Sequence, residues 1–215
     1  MTLESNKALG GVGAILVVVG FLGFFGTGYA ALLTLVGIIL TLIALKGFSD
    51  HYNEGGIFNN ALYGFISTII GVVVFVGILV MTVLAAISTL GITDWTEWAT
   101  KIQQNMTDWN ALWPWIEPIV VGAIAALIVL FVFLIISAIF FRRSLSTLSV
   151  KSGEKIFETA GLLWLIGAFL TIILVGFILI WIAWILIVVG FFSIKTPAAQ
   201  PPSTLPQPQP PPPPS

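Results

Sequence analysis

Long apolar runs divided by short polar breaks set the pattern of this chain, and none of the runs alternates polar with apolar. Residues 9–25 and 29–45 are apolar and are separated by Gly26, Thr27 and Gly28. As one helix, 9–45 would measure about 55 Å, too long for a bilayer. The pattern therefore predicts a tight helical hairpin with the glycines at its turn. A polar break over 46–57 leads to a third apolar run, 58–92. Residues 93–117 differ in kind. Trp95, Trp98, Ile102, Met106, Trp109 and Trp113 recur at spacings of three and four, with Asp94, Glu97, Lys101 and Asp108 filling much of the rest. That spacing puts the aromatic and apolar residues on one helical face. The clearest single span is 118–141. The last run, 159–194, is again too long for one helix and reads as two short ones, 159–175 and 177–194, meeting near Val175 and Gly176.

Composition agrees with this pattern. The chain is 58% hydrophobic and 8% charged, with mean hydropathy +1.10, whereas soluble domains carry roughly 25% charged residues. Barrel strands would alternate over about ten residues. The expected class is an all-α, polytopic membrane protein of about six transmembrane helices, two tight helical hairpins among them. Met1 to Lys7 hold one lysine against Glu4 and lead into no small-residue cleavage site, so the first helix reads as retained.

Charge decides how often 58–92 crosses. Two crossings would put Arg142 and Arg143 on the opposite side from Lys46; one tilted crossing keeps them together. Six crossings then gather Lys7, Lys46, Arg142, Arg143, Lys151, Lys155 and Lys195 on one side and leave Lys101 alone on the other. Basic residues flanking apolar spans stay cytoplasmic, which predicts a cell-membrane protein with both termini in the cytoplasm. Arg142, Arg143, Lys151 and Lys155, in the segment 142–158, are the topology-determining residues. That segment reads as a loop whose second half is helical, with Ser152 as cap and Glu154 in the first turn.

The tryptophans concern the other side. Trp95, Trp98, Trp109, Trp113 and Trp115 belong at the membrane–water boundary, where tryptophan concentrates. Residues 93–117 are expected to form an interfacial amphipathic helix lying on the bilayer and ended by Pro114 and Pro118. A tryptophan-lined surface for a sugar, lipid or cation is the sharper alternative. Beyond Lys195, residues 196–215 hold ten of the twelve prolines and read as a disordered, extended tail.

Catalytic chemistry is sparse. There is no cysteine, and the one histidine, His51, lacks the companions a metal site needs. No Asp, Glu, Lys, Arg or His interrupts the apolar runs, and such groups mark proton relays and ion pathways. No cofactor motif occurs. The expectation is a non-enzymatic structural or accessory membrane component, with a small channel or facilitator for neutral or apolar solutes as the alternative. Membrane lipids are the expected partners, with other membrane proteins or self-association through the glycine-rich helix faces. A net charge of −1 argues against nucleic acid.

Two blocks carry a family likeness. The first is LIALKGFSDHYNEGGIFNNALYGFI, over 42–66. The second starts FFRRSLSTLSVKSGEKIFETAGLL at Phe140 and runs to Ile194. Together they resemble a family of mostly archaeal membrane proteins known as a domain of unknown function (DUF996). The likeness covers about 9–194 and excludes the proline-rich tail. It implies a multi-pass membrane protein and transfers no functional residue. Within the chain, LVGIIL at 35–40 also matches LVGFIL at 174–179, a hint of internal repetition.

Overall fold

The computed structural model describes residues 2–23, 29–89, 100 and 109–195. Its described helices are α1 (Leu3–Gly23), α2 (Tyr29–His51), α3 (Gly55–Thr89), α4 (Trp109–Ser152), α5 (Ile156–Leu170) and α6 (Val175–Ser193). A short 3₁₀ turn, Thr171–Ile173, joins α5 to α6. No strand occurs among the described residues. Six of the helices are long and apolar enough to cross a membrane, so this is a helical polytopic membrane protein.

Each helix packs on its chain neighbours, and α6 returns to α1, so the helices close into a ring. Hydrophobicity does not drive this inside lipid, because the tails are as apolar as leucine. Close packing of small residues does. In the first hairpin, a Cβ placed on Gly37 would stand 2.6 Å from the Gly13 carbonyl, and one on Gly13 would stand 2.8 Å from the Gly37 carbonyl. The same device recurs between α5 and α6, where Gly176 lies against the Gly167 carbonyl. The two LVG sequences thus do the same work in two hairpins. Ala44 and Ala183, seven residues beyond each glycine, are both fully buried.

The packed core gathers at one end of the ring. Phe48 of α2, Leu148 of α4, Phe157 of α5 and Phe191 of α6 are fully buried there. Phe191 stacks on Phe48 at 5.7 Å, meets Phe157 edge-on at 5.3 Å and covers Gly10 of α1. One side chain therefore ties three other helices through the middle of the ring. Beside it, Trp164 stacks on Phe141 at 4.8 Å and leans on Trp184 at 5.0 Å. The N-terminus of α1, the C-terminus of α6 and the polar ends of α2 to α5 all lie at this end, together with the basic residues among those described.

Away from it, α3 and α4 stand apart. They measure about 52 and 66 Å against about 31 Å for α1. Val73, Met81, Val121 and Ile128 on them are all exposed. Their mutual packing uses Gly71 under Phe133, Gly122 under Thr82, and a 2.8 Å hydrogen bond between the Thr68 and Ser137 hydroxyls.

Several expected boundaries move. Run 58–92 is one helix as far as Thr89, the last described residue of that run. The break in 159–194 falls at Thr171–Ile173 and Leu174, just before Val175, and Leu174 takes a positive φ of 63°. The segment 142–158 is not a loop. Helix α4 continues through Ser152, because Phe141, Leu145 and Leu148 keep a helical spacing and bury themselves in the core. Ser152 does not begin the next helix; its hydroxyl turns back to the Leu148 carbonyl at 2.7 Å, and α5 starts at Ile156, beyond Glu154. Likewise 46–51 is helical, the end of α2.

The separate interfacial helix also fails over 109–117, which is continuous with the span, Pro114 and Pro118 included. Each proline removes one ladder bond near the start of a long helix, and membrane helices tolerate such losses where neighbours satisfy the backbone. Most of 93–108, and all of 196–215, lie outside the described residues.

Gly37→Ala should push two backbones apart, at a cost of about 1–3 kcal/mol. Gly77→Ala meets nothing within 4 Å and should leave stability unchanged or slightly higher. Thermal unfolding in detergent compares them, and equal midpoints would contradict this packing.

Candidate functional site

The basic end is where polar chemistry collects. Two helix–turn–helix corners meet there, α2 to α3 and α4 to α5, and they are built alike. Ser49 donates to the Glu54 carbonyl at 2.9 Å, and Ser149 donates to the Glu154 carbonyl at 3.0 Å. Each turn needs one residue with positive φ, Asn53 at 49° and Gly153 at 79°. These are residues that accept the left-handed region at low cost. The serines and the glutamates each stand one hundred residues apart, and so do the buried pairs Leu45/Leu145, Phe48/Leu148 and Ile57/Phe157.

The corners are tied to each other. Lys151 reaches Glu54 at 3.1 Å, and the buried Ser144 hydroxyl donates to the Ile57 carbonyl at 2.6 Å. The other ion pairs among the described residues are local: Lys7 with Glu4 at 3.4 Å and Lys46 with Asp50 at 2.6 Å. All are at least partly exposed, so each adds little stability. Tyr52 stacks on Phe48 and is met edge-on by His51, and burial pushes its phenol above the ordinary value. Asn6 is fully buried against Gly47, with neither polar side-chain atom hydrogen-bonded. No three His, Cys, Asp or Glu side chains come together as a metal site among the described residues.

The sequence-predicted residues fall at both ends. Arg142, Arg143 and Lys151 sit on the last turns of α4, and Lys155 lies in the turn before α5; all four are exposed. Trp113 is exposed near the far end of α4. It stands about 44 Å along the helix from Arg142, close to the full thickness of a bilayer with its head groups, about 40–45 Å. The backbones of Trp109 and Trp115 share that end of α4, whereas Trp95 and Trp98 lie outside the described residues.

Sequence reasoning missed Asn6, Ser144 and the twin corners. The corners had a signal in FSDHYNE and LSVKSGE, which share the serine and the glutamate at one spacing. Asn6 had none, because a polar residue before an apolar run looks like an exposed one.

Comparison with known proteins adds a family. The profile described as a protein of unknown function (DUF996) matches residues 33–185. An uncharacterized protein of Methanocaldococcus jannaschii is 27% identical over 194 residues, which is 90% of this chain and 94% of that protein. No solved structure matches the chain.

Gly153→Val should strain the second corner and cost about 1–2 kcal/mol, since a β-branched residue resists positive φ. Asn53→Gly should be neutral at the first. Unfolding midpoints of the two variants measure the contrast, and a stable Gly153→Val protein would contradict the corner geometry.

Proposed function

This chain belongs to the DUF996 family, and from that premise we propose a non-enzymatic integral protein of the cell membrane, structural or accessory to a complex, with both termini in the cytoplasm. The observation that carries the reading is the filled centre of the ring. Phe48, Phe191 and Phe157 close it with ring spacings of 5.7 and 5.3 Å. A conducting path would also need polar groups free to line it. Four of the hydroxyls within the spans are engaged by their own helices: Thr34, Thr41 and Thr82 donate to carbonyls one turn back, and Thr171 donates to the Ala168 carbonyl.

The orientation rests on charge. Seven of the eight Lys and Arg residues fall at the core end, and that end takes the cytoplasmic side. Trp113, a bilayer's thickness away, then sits at the outer head groups, with Trp95, Trp98, Trp109 and Trp115 in the same stretch of chain. Lipids cover the exposed faces of α3 and α4. The glycines at the α1–α2 and α5–α6 contacts are occupied inside the bundle, whereas Gly77 on α3 faces open space. Association with another membrane protein or a second copy therefore uses the α3–α4 side.

Purified protein in liposomes should pass glycerol or urea no faster than empty vesicles, and mild detergent extraction should retain a stoichiometric partner. Flux that rises with protein content would replace this reading with a facilitator. In intact cells, Gln103→Cys should react with an impermeant thiol reagent and Ser146→Cys should not; the reverse pattern would invert the orientation.

A further inference from the structure

The three described lysine ion pairs leave four cations over at this end, Lys155, Lys195 and two guanidiniums. Arg142 and Arg143 have no carboxylate within ion-pair distance among the described residues. Both line a cavity of about 560 Å³ at the basic end, together with Asn60 of α3, Ile139 and Ser146 of α4, and Leu165 of α5. No Asp or Glu lines it. The backbone there is fixed by close packing, for a Cβ on Gly161 of α5 would stand 3.2 Å from the Arg142 Cα.

We propose that this notch binds the head-group phosphate of one anionic phospholipid. Its position is the first argument. Arg142 is the first charged residue after the uncharged stretch 118–141, so its guanidinium stands at head-group depth and Ile139 lies one turn into the hydrocarbon. The wall is therefore divided as a phospholipid is divided, polar above and apolar below. The donor set is the second. Two guanidiniums offer planar N–H forks that match a phosphate bidentately, which lysine does not. The Ser146 hydroxyl has no hydrogen-bond partner among the described residues, whereas Thr147, also at the rim, already donates to the Arg143 carbonyl at 2.8 Å. Asn60 donates to the Gly56 carbonyl at 2.8 Å, which holds its amide in place.

Selectivity follows from what the notch lacks. With no carboxylate present, the ammonium of a zwitterionic head group finds no partner and faces two like charges. A net-negative head group has neither penalty. The apolar lower wall distinguishes a lipid from free phosphate, which makes no use of Ile139 and Leu165. The site rests on the membrane reading of the fold but not on which side the termini face, nor on whether the protein transports anything.

Native mass spectrometry of the full-length protein, titrated with phosphatidylglycerol or phosphatidylcholine, tests it. The protein should hold one phosphatidylglycerol at least about tenfold more tightly than phosphatidylcholine. Arg142→Gln/Arg143→Gln should lose that preference. Lys155→Gln/Lys195→Gln removes the same charge from the same end outside the notch and should retain it. Arg142→Lys/Arg143→Lys, which keeps the charge and removes the forks, should bind several-fold more weakly than the unmodified protein. Circular dichroism confirms that each variant is folded. If the double lysine-to-glutamine variant loses binding equally, general surface attraction is the cause and the site is overturned. If millimolar inorganic phosphate displaces the lipid, the site is one for free anion and the lipid assignment fails. Either result leaves the flux and topology measurements untouched.

Discussion

Phe191 is the contact on which the ring depends. Lipid offers no hydrophobic reward for bringing helices together, so association must come from packing that lipid tails cannot equal. Phe191 supplies it by touching Gly10, Phe48 and Phe157, on three different helices. Because it lies near the C-terminus of the last helix, the ring closes only when the final span folds back against the first. The α1–α2 and α5–α6 pairs pack on glycine contacts, and α6 joins α1 through Phe191 and through the Trp181 indole N–H, which donates to the Val18 carbonyl at 3.3 Å.

An asymmetry along the membrane normal follows. At the core end six helix ends converge, turns are hydrogen-bonded and the Lys151–Glu54 ion pair crosses between corners. At the other end α3 and α4 run on, with their apolar faces exposed. Charge divides the same way. The core end carries seven basic and five acidic residues, and the opposite stretch carries Lys101 against Asp94, Glu97, Asp108 and Glu117. Among the described residues, Arg142, Arg143, Lys155 and Lys195 have no carboxylate within ion-pair distance, and Arg142 and Arg143 stand side by side.

Much of this was legible from hydrophobic pattern and charge. The division of 9–45 into two packed helices and a break in 159–194 near Val175 follow from run lengths weighed against bilayer thickness, and charge favours keeping 58–92 as one helix. The turn at 26–28 lies outside the described residues. What was hidden had physical reasons. Arg142 and Arg143 end an uncharged run, and the end of that run reads as a helix end, although Phe141, Leu145 and Leu148 continue the helical spacing. Pro114 and Pro118 suggested a stop where the helix runs through them. The twin corners keep a pattern of burial while changing the letters, Phe48 for Leu148 and Ile57 for Phe157, so identity alone does not expose them.

The closure of α6 onto α1 can be measured most directly by cross-linking, since the chain has no cysteine of its own. Glu4→Cys and Lys195→Cys, introduced together, sit at the start of α1 and just past the end of α6, both exposed at the core end. A short bismaleimide added to membranes permeable on both faces should join them within one chain. Single labelling of both sites with no intramolecular product, or labelling from opposite faces of sealed vesicles, would contradict a closed six-helix ring.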